Sequence, residues 1–172
     1  MGESERTLPA LPASTTPKQA LSDIAERYGI DLIYAFGSQA DAVRSYVFKE
    51  TPATVNRPGS DADIGVVFHG SLPPEGIVRA KVYSSLYIAL SDALEPFRVD
   101  LCFLQENHSV FQAQAIKGCC LYAVNEEIKD NYEEMIMRRA ADFRPFLNRF
   151  LAEALEEMGS GVSRVLEGRN YD

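Results

Sequence analysis

Three short runs of apolar, β-branched and aromatic residues constrain the fold of this chain more than any other feature. They cover residues 30–36 (IDLIYAF), 62–68 (ADIGVVF) and 97–104 (FRVDLCFL), and each is short and dense enough to be a buried strand. Segments with helical spacing lie before, between and after them. The alternation predicts an α/β (α+β) fold in which a mixed β-sheet is flanked by helices.

The predicted helices have apolar residues at intervals of three and four. The first spans about 17–28, with Thr16 as its N-cap, Pro17 in the first turn and Gly29 after its end. A second covers 75–94, and a short one lies near 108–117. A short apolar stretch, 119–124, precedes a charged helical segment at 126–158, in which Pro145 should kink or divide the helix.

The 172 residues suit one domain of ordinary size. We expect a flexible leader at 1–15, the main domain at 16–125, a C-terminal helical segment at 126–158 and a frayed tail at 159–172. No apolar run reaches the roughly 20 residues of a membrane span, and the N-terminus lacks the order of a signal peptide. The sequence therefore predicts a cytoplasmic protein with no membrane segment.

Charge and cysteine content narrow the possible partners. The chain has 25 acidic and 17 basic residues, a net charge of −8, so long nucleic acid is an unfavourable partner. Cys102, Cys119 and Cys120 are odd in number and lack CxxC spacing, so neither a disulfide framework nor a zinc site is expected.

Two carboxylates stand at the start of the second apolar run, in the stretch SDADIG at 60–65. In a strand, Asp61 and Asp63 point to the same side, where they repel each other unless a cation binds between them or one is protonated. Asp100 interrupts the third run from its polar face. If the second and third strands are neighbours, three carboxylates converge and could hold one or two Mg²⁺ ions. The alternative is ordinary solvated turn chemistry.

Gly37-Ser38 ends the first run. A Gly-Ser turn leading into a helix can offer backbone N–H groups and a hydroxyl to phosphate oxygens. A strand ending in GS, followed by a strand that carries SDxDIG, resembles the nucleotidyltransferase superfamily of DNA polymerase β. The small size resembles its minimal nucleotidyltransferase group, and the resemblance covers about 20–125.

The resemblance implies Mg²⁺-dependent transfer of a nucleoside monophosphate onto an acceptor hydroxyl, with pyrophosphate leaving, and we expect AMP from ATP to be the group transferred. Asp61 and Asp63 would bind both metal ions. Asp100 would bind the catalytic ion and help to deprotonate the acceptor.

The nucleotide-binding residues implied by the resemblance are Gly37, Ser38, Ser60 and Arg44. The two motifs lie further apart than in small members of the family, since 22 residues separate Ser38 from Asp61. Residues 45–59 therefore look like an insertion beside the site. It is either a mobile flap, with Arg44, Lys49 and Arg57 reaching the triphosphate, or a solvated loop.

Many minimal nucleotidyltransferases pair with a helical HEPN toxin, so the resemblance also implies an antitoxin role. Residues 142–146 (DFRPF) are either a segment that docks such a partner or part of a helix packed on its own sheet. A small-molecule adenylyltransferase of the aminoglycoside type and a non-catalytic antitoxin or binding module are the alternatives. The sequence leaves a homo-oligomer open.

Overall fold

The computed structural model describes residues 16–49 and 59–167, which form five helices and four strands. The elements in chain order are α1 (Pro17–Tyr28), β1 (Ile30–Phe36), α2 (Ala40–Lys49), β2 (Ala62–Phe68), α3 (Ile77–Ala93), β3 (Val99–Phe103), α4 (Ser109–Ile116), β4 (Cys119–Ala123) and α5 (Glu126–Glu167). Short 3₁₀ turns cover Gly37–Gln39 and Leu104–Glu106. Among the described residues, no helix combines the length and the apolar character that a membrane span requires.

The four strands form one mixed sheet in the order β3-β2-β1-β4, which confirms the predicted fold class. β1 is antiparallel to β2 and to β4, whereas β2 and β3 are parallel. A parallel pair needs a crossover connection, which α3 supplies. β2 and β3 therefore begin at the same end of the sheet, where antiparallel β1 ends.

Alternate side chains of the strands feed two separate hydrophobic clusters, one on each face of the sheet. One face carries Ile33 and Ala35 of β1 and packs on α1, α2 and α3. The other carries Leu32 and Tyr34 and packs on α4 and α5. The sheet is thus covered by helices on both faces.

The first helix has the ends that the sequence predicts. The Thr16 hydroxyl accepts a hydrogen bond from the Gln19 backbone N–H at 3.3 Å, and Pro17 is the first helical residue. Gly29 ends the helix in the left-handed conformation, with φ 65°. Glycine adopts this conformation at little cost, which explains why it stops the helix.

The last helix is longer than its predicted bounds, 126–158. α5 is continuous from Glu126 to Glu167 and contains Pro145, so the helix is not divided there, and a kink at Pro145 stays a prediction. A proline removes one backbone donor, which a long helix with intact turns on both sides tolerates. The helix extends through Gly159 and Gly161 to Glu167, although each glycine disfavours helix by about 1 kcal/mol. Residues 168–172 lie outside the described residues.

The segment between the two motifs is partly helical. Residues 45–49, the start of the predicted insertion, form the second half of α2. Residues 50–58, which include Arg57 and most of the predicted flap, lie outside the described residues, as does the predicted leader at 1–15.

Candidate active site

Asp63 and Asp100 are direct partners in the parallel register of β2 and β3. Opposed residues on neighbouring strands project from the same face of the sheet, so the two carboxylates are neighbours. The next pair in the register, Ile64 and Leu101, is buried in the core on the opposite face. The alternation of apolar and acidic residues thus places both carboxylates at one end of the sheet, as the sequence predicts.

Gly37 brings the backbone of the turn after β1 against the Asp63 carboxylate. Its φ is 71°, and a Cβ added here would lie 2.0 Å from Oδ2 of Asp63. Both the left-handed conformation and the lack of space require glycine at this position. The Gly-Ser turn and the DxD motif are therefore parts of one site.

A hydrogen bond between two serines also joins the Gly-Ser turn to the DxD motif. The hydroxyl oxygens of Ser38 and Ser60 are 2.8 Å apart, which ties the turn to the residue just before Asp61. Gln39, the next residue of the turn, is fully buried and has a polar or electrostatic partner. Its burial anchors the turn to the interior of the domain.

The three carboxylates act on one another electrostatically. Burial, then the neighbouring Asp100 and Asp61 charges, raise the pKa of Asp63 above its usual range. Burial and the same Asp100 and Asp63 charges raise the pKa of the Cys102 thiol to about 12, so Cys102 stays protonated at neutral pH. The site concentrates negative charge and disfavours further anions until a cation is bound.

Asp61 is held differently from the other two. Its Oδ1 lies 3.2 Å from Nε of Arg98 and is buried, yet it has no hydrogen bond, so the contact joins opposite charges without hydrogen-bond geometry. Within the described part of the chain, no three His, Cys, Asp or Glu side chains lie together in an arrangement that could hold a metal ion. The convergence of three carboxylates on one ion stays a prediction.

The residues present fit a hard divalent cation. Asp63 and Asp100 offer carboxylate oxygens from adjacent strands, and their mutual repulsion is what a bound cation would remove. Asp61 has a buried oxygen with no donor. An arrangement of this kind suits Mg²⁺, which is commonly bound by one or two carboxylates together with substrate phosphates.

Arg44 is exposed on α2 and lines an open cavity of about 840 Å³ beside β4, together with Asp41, Cys119 and Lys129. A second cavity of about 620 Å³ also follows β4, and the three carboxylates line neither. The contact of Arg44 with a triphosphate stays a prediction.

Arg98 is the site residue that sequence reasoning missed. The signal was present, because Arg98 and Asp100 alternate with the apolar residues of the third run and so belong to its polar face. What the sequence did not show is that this side chain reaches Asp61, the residue just before β2.

Comparison with known proteins agrees with this geometry. The family model described as "Polymerase beta, Nucleotidyltransferase" matches residues 19–127, more than half of the chain and every residue of the site. A search of curated proteins finds no significant match.

Among solved structures, the toxin-antitoxin MntA-HepT matches with 17% identity and a TM-score of 0.45, over 85% of this chain and 97% of that one. A minimal nucleotidyltransferase matches with 19% identity and a TM-score of 0.40, over 62% of this chain and 96% of that one. Because the family model spans both motifs and all three carboxylates, the chain belongs to the polymerase beta nucleotidyltransferase family.

Proposed function

We propose that this nucleotidyltransferase uses Mg²⁺ to move AMP from ATP onto an acceptor hydroxyl. One observation carries the proposal: Asp63 and Asp100 are paired across β2 and β3, directly against the Gly37 turn. Phosphoryl-type transfer needs mainly positioning and charge neutralisation, and this junction offers carboxylates for a cation beside backbone N–H groups for phosphate.

The residues have distinct roles in this proposal. Asp61, Asp63 and Asp100 would hold Mg²⁺, which neutralises charge on the phosphates when bound. Asp100 lies on edge strand β3 and is exposed, so it is accessible to an acceptor from solvent and takes up the hydroxyl proton. The acceptor oxygen bonds to the α-phosphorus of ATP, the bond to the bridging oxygen breaks, and pyrophosphate leaves. Ser38, Ser60 and the Gly37 backbone bind the triphosphate.

The choice of donor and acceptor rests on the family resemblance and on charge. The resemblance favours ATP, and the net charge of −8 favours a protein or a small molecule over long nucleic acid as the acceptor.

Isothermal titration tests the metal and the donor together. ATP, GTP, CTP and UTP are titrated with Mg²⁺ into the wild type, an Asp61→Asn/Asp63→Asn variant and an Asp92→Asn/Asp130→Asn control. The control removes the same two charges from exposed positions on α3 and α5. We expect Mg²⁺-dependent binding of ATP that the first variant loses and the control keeps.

Other results would redirect the proposal. Tighter binding of GTP, CTP or UTP than of ATP would identify that nucleotide as the donor. Binding that persists in the Asp61→Asn/Asp63→Asn variant would contradict the metal site, and no binding to the wild type would favour the non-catalytic module.

The second half of α5 supports a protein partner, and we propose that this partner is a helical toxin of the HEPN type, as the family resemblance implies. Phe143 packs on the domain, with its ring 6.1 Å from that of His108. Beyond it, Phe146, Phe150, Leu151 and Leu155 are between 50% and 64% exposed. They lie at helical spacing along about 13 Å of the helix. An apolar stripe of this kind suits packing against a helix or groove of another protein.

Co-expression tests the partner. The chain is expressed together with the product of a neighbouring gene that encodes a small helical protein with an arginine-x4-histidine motif. The molar mass of the complex is then measured by light scattering. Phe146→Ser/Phe150→Ser should abolish the complex, whereas Met137→Ser, exposed on the same helix, should not.

A mass increase on the partner that equals one AMP and depends on Asp63 would show that the chain is an antitoxin that modifies its toxin. A homodimer that the double variant dissolves would assign the stripe to a second copy instead.

A further inference from the structure

The backbone of Arg98 is held by a hydrogen bond, whereas its side chain is exposed to solvent. Its carbonyl accepts a hydrogen bond from the Ala62 N–H at 2.6 Å, which fixes the residue beside the start of β2. Its side chain is 76% exposed, and its Nε lies 3.2 Å from Oδ1 of Asp61. The guanidinium can therefore leave Asp61 without any change in the sheet.

Arg98 lies beside the Asp61 carboxylate without forming a hydrogen bond to its buried oxygen. Oδ1 of Asp61 is buried without a hydrogen bond, so Arg98 supplies charge but does not saturate the oxygen. An arginine is always protonated, and its planar guanidinium binds phosphate oxygens in bidentate fashion. A divalent cation would compete with Arg98 for Asp61, and the phosphates bound to that cation would compete with Asp61 for Arg98.

We propose that Arg98 is a removable counter-ion that makes the site select a metal–nucleotide complex over the free metal ion. In the metal-free protein, Arg98 neutralises Asp61 and competes with a divalent cation for it. When the cation arrives with a triphosphate, the displaced guanidinium binds the phosphate oxygens. Arg98 thus opposes binding of the metal alone and favours binding of the metal with nucleotide. The inference rests on the proposed function.

Opposite effects on two affinities test the inference. Mn²⁺, observed by electron paramagnetic resonance, is titrated into wild type and Arg98→Gln, alone and with a non-hydrolysable α,β-methylene analogue of ATP. For Arg98→Gln we expect affinity for Mn²⁺ alone to rise about two- to five-fold, the effect of an exposed ion pair. Affinity for the Mn²⁺–nucleotide complex should fall about tenfold or more, as for a lost charge-assisted hydrogen bond.

Arg138→Gln is the matched control. Arg138 is 72% exposed, its Nη2 is 2.6 Å from a carboxylate oxygen of Glu134, and it lies on α5 outside the site. It removes the same charge from a similar ion pair, so both affinities should match those of the wild type. Equal effects in the two variants would show that net charge alone is responsible and would overturn the inference.

The remaining outcomes separate the inference from the proposed function. If wild type binds Mn²⁺ but Arg98→Gln binds it no more tightly, the competition is refuted while the metal site stands. If Arg98→Gln binds the metal more tightly and the nucleotide complex equally well, the selection is refuted. If wild type binds neither, the proposed metal site fails. A double-mutant cycle of Arg98→Gln and Asp61→Asn on thermal unfolding in EDTA measures the ion pair without metal, and zero coupling would refute the counter-ion.

Discussion

At the scale of single residues, Gly37 is required for two separable reasons, and a second glycine allows them to be separated. Gly29 has nearly the same φ as Gly37, 65° against 71°, but a Cβ at Gly29 would meet nothing within 4 Å. Gly29→Ala should lower the free energy of unfolding by about 1–2 kcal/mol through backbone strain alone. Gly37→Ala should cost at least about 1 kcal/mol more, because the methyl group displaces the Asp63 carboxylate.

Urea unfolding measures both costs, and Mn²⁺ titration shows whether Gly37→Ala alone loses metal affinity. If Gly29→Ala and Gly37→Ala lower the free energy of unfolding equally and both bind Mn²⁺ like the wild type, the Asp63 side chain moves aside freely. The close approach of Gly37 to Asp63 would then not contribute to metal binding.

The raised pKa of Asp63 gives a pH dependence of definite sign. The folded state binds the Asp63 proton more tightly than the unfolded chain, so ionised Asp63 destabilises the fold above its folded pKa. This cost disappears as the pH falls below the ordinary Asp range, about 4. In EDTA, Asp63→Asn should therefore melt above the wild type at pH 7, and the difference should shrink towards pH 4.

Calorimetric melts across this pH range check it, with Asp130→Asn on α5 as the exposed control that shows no difference at any pH. A difference for Asp63→Asn that does not change with pH would point to altered packing, not to charge.

Most of the site could be predicted from residue order, but not the pairing of Asp61. Strand alternation places Asp63 and Asp100 on one face, and the register confirms it. Arg98 and Asp61 stand just before β3 and β2, which lie far apart in the sequence, and no periodicity within either strand encodes such a contact. The same holds for Gln39, whose full burial depends on tertiary packing and not on its neighbours.

At the scale of elements, a buried polar pair attaches α5 to α4. The Tyr132 hydroxyl donates to Oε1 of Gln112 at 2.6 Å, and the Gln112 side-chain amide donates to the Asn107 carbonyl at 2.6 Å. Tyr132→Phe would leave a buried oxygen without a donor, at a cost of about 1–3 kcal/mol. We expect a fall in melting temperature of about 2–4 °C for each kcal/mol lost.

Tyr87→Phe, which removes a hydroxyl from an exposed ring on α3, should leave the melting temperature unchanged. If the two variants melt alike, water satisfies Gln112 in place of Tyr132, and α5 is attached by its apolar contacts alone.

Element boundaries follow from local chemistry wherever that chemistry is strong. α1 begins and ends at its predicted caps because Thr16, Pro17 and Gly29 each act within one turn. The third strand is shorter than predicted, Val99–Phe103, since apolar Phe97 and Leu104 pack in the core from outside the ladder. α5 continues through Pro145 although an interior proline costs about 3 kcal/mol, since the 42-residue helix keeps its other backbone hydrogen bonds.

At the scale of the whole molecule, the site joins β1, β2 and β3, so a ligand bound there should stabilise the entire sheet. Gly37, Asp63 and Asp100 come from separate stretches of the chain and meet only in the folded state. A ligand that binds only the folded state at 100 times its Kd adds about 2.7 kcal/mol to the free energy of unfolding. For a chain of this size that corresponds to about 5–10 °C in melting temperature.

Magnesium with α,β-methylene ATP should therefore raise the melting temperature of the wild type and of Asp92→Asn/Asp130→Asn, but not that of Asp61→Asn/Asp63→Asn. The nucleotide in EDTA should have little effect, because the three carboxylates repel the phosphates without a cation. An equal rise in all three proteins would place the nucleotide elsewhere on the fold. The cavity beside β4 that Arg44 and Lys129 line would then be the first place to test, with Arg44→Gln as the variant.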